Sequence, residues 1–201
     1  MVILGVTGSL STGKTSVSKS FQELGAKVLD ADKIAHDQMK KGGICYDRII
    51  KVFGKAIVDG DEINRKKLAD IVFSDKEKLD KLVAIIHPAV KNAIGEEIRR
   101  YNKRKKEYLV VVDVPLLFES NLHRYVDWII VVKAKRQQQI ERAVEKFKIS
   151  KQQAIRRIKM QMPLREKIRL ADIIIDNSRS LIETKEQVKE IWQKILLKKK
   201  K

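Results

Sequence analysis

The sequence predicts an α/β fold built on a parallel sheet, and three observations carry the prediction. Short runs of apolar, mostly β-branched residues recur at Val2–Thr7, Lys27–Asp30, Tyr108–Val114, Asp127–Val132 and Asp172–Asp176. None alternates apolar with polar residues, as expected of strands buried on both faces of a parallel sheet. Helix-like stretches separate these runs, and strands alternating with helices imply right-handed crossovers. The first run also ends in a Gly-rich turn that opens into a helical pattern, the order in which phosphate-binding loops occur.

Taken in order, Val2–Thr7 is the first strand, and Ser16 to Leu24 reads as the helix after the turn. Lys27–Asp30 is the second strand. Between Asp30 and Tyr108 no good strand appears, so an all-helical insertion is expected there. Within it Leu79, Leu82, Val83 and Ile86 follow i, i+3, i+4, i+7, one apolar helix face. Pro88, after His87, suits the first turn of a new helix, where its missing N–H costs nothing. Arg99, Arg100, Lys103, Arg104, Lys105 and Lys106 read as an exposed helix end with little aromatic interleaving beyond Tyr101. Another helical stretch between Ile140 and Leu170 carries Arg142, Arg156, Arg157, Arg165 and Arg169. Val188, Ile191, Trp192 and Ile195 mark the apolar face of a C-terminal helix, and the Lys198–Lys201 tail is expected to fray.

Composition narrows the classes. The 201 residues include 44 Lys+Arg against 26 Asp+Glu, a formal charge of +18, while 43% are hydrophobic and three are proline. Such a chain is neither disordered nor collagen-like, and it is long enough to bury a core without staples. The single cysteine, Cys45, allows no internal disulfide framework and no CxxC metal site. No apolar run nears the ~20 residues that cross a bilayer. The start Met1-Val2-Ile3-Leu4-Gly5 lacks a basic n-region and reads as a strand rather than a signal peptide. A soluble, cytoplasmic protein is expected. Its positive charge suits nucleic acid, anionic membrane or a polyphosphorylated small molecule as partner.

Gly8-Ser9-Leu10-Ser11-Thr12-Gly13-Lys14-Thr15 satisfies G-x-x-x-x-G-K-[ST] between a strand and a helix. Gly8 and Gly13 let the backbone turn and approach phosphate oxygens. The N–H groups of Ser11, Thr12, Gly13, Lys14, Thr15 and Ser16, at a helix N-terminus, then suit a polyphosphate. Lys14 can reach the β- and γ-phosphates, and the Thr15 hydroxyl can hold Mg²⁺. A glycine turn capped by a lysine is the plain structural alternative. The strand ending at Asp113 matches the metal-organising Walker B pattern. Asp30 and Asp32 stand at the end of the second strand, where ligands of open α/β sheets bind. They point the same way if the strand reaches Asp32; if a helix begins there, Asp32 is its N-cap. The arginines from Arg142 to Arg169 read as a solvated face, or as a lid in which at least one stabilises transferring phosphoryl charge. His87, beside apolar Ile85 and Ile86, reads first as a packed or capping histidine.

With these pieces in order, the chain resembles the dephospho-CoA kinase family. The resemblance rests on Gly5-Val6-Thr7-Gly8 with the phosphate loop, Leu24-Gly25-Ala26, and Asp30-Ala31-Asp32-Lys33-Ile34-Ala35-His36. It continues through Ile63-Asn64-Arg65-Lys66-Lys67-Leu68, Ile71-Val72-Phe73, Ile86-His87-Pro88 and Asp113-Val114-Pro115-Leu116-Leu117-Phe118-Glu119. Gln139-Ile140-Glu141-Arg142, Gln161-Met162 and Ile175-Asp176-Asn177 complete it. It implies a P-loop kinase with a five-stranded parallel sheet flanked by helices, a helical substrate-binding insertion and a helical lid. The implied core is 1–30, 108–135 and 171–201, with the CoA-binding domain at 31–107 and the lid at 136–170. The implied reaction moves the γ-phosphoryl group of ATP, with Mg²⁺, to the ribose 3′-hydroxyl of dephospho-CoA. Asp32 would be the general base, Lys14 and Arg142 would act on the phosphoryl group, and Thr15 and Asp113 on the metal. Arg65, His87, Leu116 and Phe118 would join Asp32 in contacting the acceptor. The chain departs from the family pattern at Ser9 and Ser11, where the family has glycine. A non-glycine residue fits there if φ stays negative, so altered loop detail with intact function is expected. It departs again at Lys146-Phe147, where the family reads Arg-Asp; lysine lacks the bidentate fork, so no role passes to Lys146.

Two other functions are compatible with the residues alone. One is a kinase for nucleoside monophosphates or another small acceptor. The other is a nucleotide-regulated nucleic-acid-binding protein, although no helix-turn-helix, zinc or RNP-like signal accompanies the charge.

Overall fold

The computed structural model describes residues 1–103 and 109–198. The chain runs through β1 (Val2–Gly8), α1 (Lys14–Glu23), β2 (Lys27–Asp30), α2 (Ala31–Met39) and α3 (Tyr46–Phe53). It continues with β3 (Val58–Asp59), β4 (Glu62–Ile63), α4 (Arg65–Val72) and α5 (Lys76–Lys103). β5 (Leu109–Asp113), β6 (Trp128–Lys133), α6 (Arg136–Phe147), α7 (Lys151–Lys159) and α8 (Leu164–Arg169) precede β7 (Ile173–Asp176) and α9 (Leu181–Lys198). They form two compact units, residues 1–29 with 104–201, and residues 30–103. The expectations for Tyr108, Arg104–Lys106 and the end of the lysine tail fall outside the described residues.

In the first unit the sheet has the order β2-β5-β1-β6-β7. β1 is flanked in parallel by β5 and β6, with Val6 beside Asp113 and Gly8 beside Val132, and β6 pairs in parallel with β7. Leu4 and Val6, two residues apart and therefore on one face, are fully buried with Val111, Ile130, Val132 and Ile175. Val17 and Phe21 of α1 cover that face, beside Val188, Ile191 and Ile195 of α9. The C-terminal face read from the sequence thus packs where its spacing demands.

Two aspartates set register where strands enter. Asp127, just before β6, takes the Ile3 N–H of β1 on Oδ2 at 2.7 Å, while its own N–H donates to the Ile3 carbonyl. Asp172, just before β7, does the same to Ile129 of β6, at 2.7 Å. Each side chain supplies an acceptor where the neighbouring ladder has run out.

In the second unit Cys45, Ile49, Ile57, Ile63, Leu68, Val72, Ile85 and Ala89 form the core. The insertion is not all-helical. β3 and β4 pair antiparallel, Val58 opposite Ile63 and Asp59 opposite Glu62. Gly60, at φ 60°, opens the two-residue turn, the conformation a Gly-led tight hairpin requires. Pro88 begins no new helix either: α5 runs unbroken from Lys76 to Lys103 with the proline inside. An internal proline costs about 3 kcal/mol in an isolated helix because the carbonyl four residues back loses its donor. Here that carbonyl belongs to exposed Ala84, within reach of water, while Ile85, Ala89, Val90 and Ile94 stay buried on both sides of Pro88. Burial carries the helix through.

Replacing Asp127 by Ala is expected to lower stability by about 1 kcal/mol, one hydrogen bond's worth. At this chain length that corresponds to a Tm lower by about 2–4 °C. Asp127→Asn, which keeps an acceptor, should recover most of it. Thermal unfolding followed by circular dichroism checks this, and an unchanged Tm in Asp127→Ala would refute the register role.

Candidate active site

The loop between β1 and α1 is drawn together on the Ser9 carbonyl. The Ser9 carbonyl accepts from the Thr12 hydroxyl at 3.0 Å, the Thr12 N–H at 3.3 Å and the Lys14 ammonium at 3.2 Å. A Cβ on Gly8 would lie 2.5 Å from both Thr12 Oγ1 and the Val132 carbonyl oxygen, so only glycine fits. Gly13, at φ 94°, is the N-cap of α1 and contributes no side-chain cap. The first N–H groups of α1 therefore have no intrahelical acceptor, and the positive end of the helix dipole favours an anion there. Thr15 and Ser16 are exposed in that first turn.

Ser9 and Ser11 behave differently. Ser9 keeps a negative φ, but Ser11 does not: it sits in the left-handed region at φ 57°. The expectation of negative φ fails at this position because the loop geometry demands a left-handed residue whatever the side chain. A non-glycine residue there costs roughly 1–2 kcal/mol. The Ser11 hydroxyl is buried and has no hydrogen-bond partner among the described residues.

The loop is clamped from β7. Asn177, 8% exposed, follows the last strand and donates its N–H to the Lys133 carbonyl at 2.9 Å. Its side-chain amide donates to the Thr12 carbonyl at 2.8 Å and accepts from the Thr184 hydroxyl at 2.9 Å. A Cβ on Gly13 would overlap Asn177 Nδ2, so the glycine is required by its neighbour as well as by its φ. Before it, Asp176 pairs with Lys133 at 3.1 Å. Burial pushes its carboxyl up, but hydrogen bonds from Ser178 and Lys133 outweigh that and hold it below the usual range.

Arg142, on α6, is tied to the same residue: its Nη2 donates to the Asn177 carbonyl at 3.3 Å, and its Nη1 is buried without a partner among the described residues. Of the other arginines in this region Arg157 is half-buried, and Arg156, Arg165 and Arg169 are exposed. Lys146 lies 5.5 Å from the Phe147 ring centroid. Lys167 on α8 is fully buried; burial pushes its pKa down, and Glu119 at 2.9 Å pulls partly the other way.

Asp113 ends β5, 7% exposed, and one of its oxygens accepts from the Ser18 hydroxyl at 2.9 Å. Among the described residues no three His, Cys, Asp or Glu side chains gather into a metal cage. The donor set instead suits Mg²⁺ arriving with a nucleotide, which keeps water and phosphate ligands and takes one or two from protein. A hydroxyl at Thr15 and a carboxylate at Asp113 are of that kind.

The remaining expected residues are placed as follows. Asp30 is the N-cap of α2, its Oδ1 accepting the Lys33 N–H at 3.0 Å, so capping does not fall to Asp32. Asp32 is exposed in the first helical turn. Arg65 is the first residue of α4, set there by Asn64, whose side chain accepts the Lys67 N–H at 3.0 Å. Arg65, Lys66 and Lys67 fill that turn with no acidic residue. Lys67 pairs with Asp59, and Arg65 makes no ion pair among the described residues. Three cations at a helix N-terminus oppose its dipole. His87 is half-buried on α5. In the sheet unit Leu116 is half-buried, while Phe118 is 9% exposed with its ring 5.5 Å from that of His123. That contact packs Phe118 more than it presents it. Sequence reasoning gave Asn177 and Gln161 no role, although both stood in the strings that carried the resemblance. The usable signal for Asn177 was an amide directly after a buried strand, at the sheet end where ligands bind.

The profile of the family described as dephospho-CoA kinase, CoaE, matches residues 2–183. A dephospho-CoA kinase of Carboxydothermus hydrogenoformans is 42% identical over 193 residues, 96% of this chain and 93% of its own. A dephospho-CoA kinase structure from Campylobacter jejuni superposes with a TM-score of 0.68 at 29% identity, covering 96% of each chain. The structure of TT1252 from Thermus thermophilus superposes with a TM-score of 0.80 at 29% identity, covering 97% of each. The chain belongs to the dephospho-CoA kinase family, ATP-using P-loop kinases that phosphorylate dephospho-CoA to coenzyme A.

Proposed function

We propose that this chain carries out its family's reaction with a donor site in the phosphate loop and acceptor groups led by Asp32 and Arg65. The observation that carries the reading is the loop itself, with left-handed residues at Ser11 and Gly13, opening into α1 with Lys14 folded back onto the Ser9 carbonyl. The N–H groups between Ser11 and Ser16 bind the phosphates, apart from those of Thr12 and Ser16, which donate to the Ser9 and Gly13 carbonyls. The Lys14 ammonium follows charge onto the β,γ-bridge as it develops. Arg142, with its unpartnered Nη1, serves the transferring phosphoryl group. Thr15 and Asp113 would hold Mg²⁺, which would supply positive charge against the phosphates.

On the acceptor side, Asp32 takes the proton of the ribose 3′-hydroxyl as that oxygen bonds to the γ-phosphorus and the bond to the ADP oxygen breaks. Two features support this: Asp30 already caps α2, and a helix N-terminus favours a carboxylate in its first turn. The acid-free cationic turn of α4 lowers helix stability, and an anionic ligand reverses that penalty. Arg65 therefore contacts a phosphate of dephospho-CoA. His87 and Leu116 contribute further contacts, while Phe118 packs against His123. The reading is of a cytoplasmic enzyme with small-molecule partners and no specific nucleic acid; among the described residues no helix is long and apolar enough to cross a membrane.

Incubation with Mg²⁺-ATP and dephospho-CoA should yield coenzyme A and ADP, read by chromatography. Phosphorylation of nucleoside monophosphates with dephospho-CoA untouched would refute the reading. Asp32→Asn should keep the parental Tm and lose turnover by at least ~100-fold, the low end of general-base effects. Near-normal turnover would remove the base role. Arg65→Gln should raise KM for dephospho-CoA by about 10-fold or more, the worth of a charged hydrogen bond, and leave KM for ATP unchanged. An unchanged KM for dephospho-CoA would take Arg65 out of the acceptor site.

A further inference from the structure

The Pro115 carbonyl, after β5, accepts from the Thr7 hydroxyl at 3.2 Å and from the Lys167 ammonium at 2.8 Å. Lys167 also pairs at 2.9 Å with Glu119, whose side chain is 25% exposed. Glu119 Oε1 accepts the Met162 N–H at 3.0 Å. The adjoining Gln161 turns onto the phosphate loop, its Oε1 accepting the Leu10 N–H at 2.9 Å and the Ser9 hydroxyl at 3.4 Å. These bonds close a ring from the end of β1, through Pro115, Lys167, Glu119, Met162 and Gln161, back to the residues that follow β1.

The chemistry of the ring is unusual for a stabilising element. A fully buried lysine ammonium paired with a partly exposed carboxylate is costly to desolvate, and apolar residues of similar size would often fold as well or better. What the pair supplies is direction. It fixes the 161–162 segment against Pro115, and the segment delivers a neutral acceptor to a loop N–H. An amide oxygen suits that place, because a carboxylate would repel a polyphosphate.

We propose that Gln161, held by the Glu119–Lys167 pair, is a positioning residue for phosphoryl transfer that fixes the crest of the phosphate loop at Leu10. The proposal rests on the kinase reading above. With the crest fixed, the N–H groups from Ser11 onward keep one direction; released, they still bind nucleotide but present the γ-phosphoryl group off line.

The test compares the parent protein, Gln161→Met, the charge-free pair Glu119→Leu/Lys167→Met, and the triple variant. Methionine keeps the length of Gln161 without its acceptor, and the pair leaves no buried charge unpartnered. Gln161→Met should keep the parental Tm and KM for dephospho-CoA, and lose kcat by at least ~10-fold, since small misplacements cost up to about 10²-fold. The Leu10 amide should exchange roughly 10-fold faster by NMR, as expected on losing one hydrogen bond. The paired variant should show the same kcat loss, and the triple variant no further loss, because residues acting through one another are not additive. Parental kcat in Gln161→Met overturns the proposal, as do losses that multiply in the triple variant. Should the paired variant not fold, Gln161→Met alone decides. A parent that makes no coenzyme A refutes the kinase reading instead, while the Leu10 exchange rates still judge the clamp.

Discussion

A phosphate loop must hold several N–H groups in one direction before any anion is there to reward it, and here Asn177 meets that constraint. Its amide bonds the Thr12 carbonyl, which ties the loop to the end of β7. Every group that fixes Asn177 belongs to the framework: Lys133 at the end of β6, Thr184 at the start of α9, and Arg142 from α6. The loop conformation is thereby a consequence of the sheet. Gly13 has no room for a side chain because Asn177 stands there, and Ser11 takes a left-handed backbone at φ 57°. Strain of this kind persists only where surrounding structure over-determines it.

The charge of the protein makes physical sense once it is sorted by burial. The exposed pairs, such as Lys185 with Glu23 and Lys41 with Asp61, each contribute little, since solvent and salt screen them. The cations that matter are those set against an unfavourable background: Lys14 and Arg142 around the loop, Arg65 at a helix end whose dipole repels it, and Lys167 without exposure. In the proposed reading Lys14, Arg142 and Arg65 serve the two substrates, and Lys167 holds the segment beside the loop. An excess of +18 therefore needs no nucleic acid to account for it; an enzyme of two polyphosphorylated substrates uses such a field to attract both.

The legible part of the fold was the part encoded by repetition. Uninterrupted β-branched runs gave the strands, and the G-x-x-x-x-G-K-T spacing gave the loop, because each is a local pattern with one physical meaning. What escaped was decided by neighbours distant in sequence. Pro88 sits inside α5 because residues on both sides of it are buried, which no window around the proline reveals. The β3–β4 hairpin hid because its strands are two residues each, although Gly60-Asp61 is a recognisable tight turn. The cap of α2 fell to Asp30 because the strand ends there, two residues short of the Asp32 that a shared face for both aspartates requires. Asn177 and Gln161 act through partners about 150 residues or more away, so nothing in their own segments states what they do.

The central claim is that the loop is built by its clamp before nucleotide arrives, and the affinity of Asn177→Ala for a non-hydrolysable ATP analogue tests it most directly. Calorimetric titration well below the Tm, with folding verified by circular dichroism, isolates the loop from global unfolding. The account predicts a Kd raised at least ~10-fold, since about 1.4 kcal/mol is the scale of leaving the Thr12 carbonyl without its donor. A folded variant that binds the analogue as tightly as the parent would contradict it.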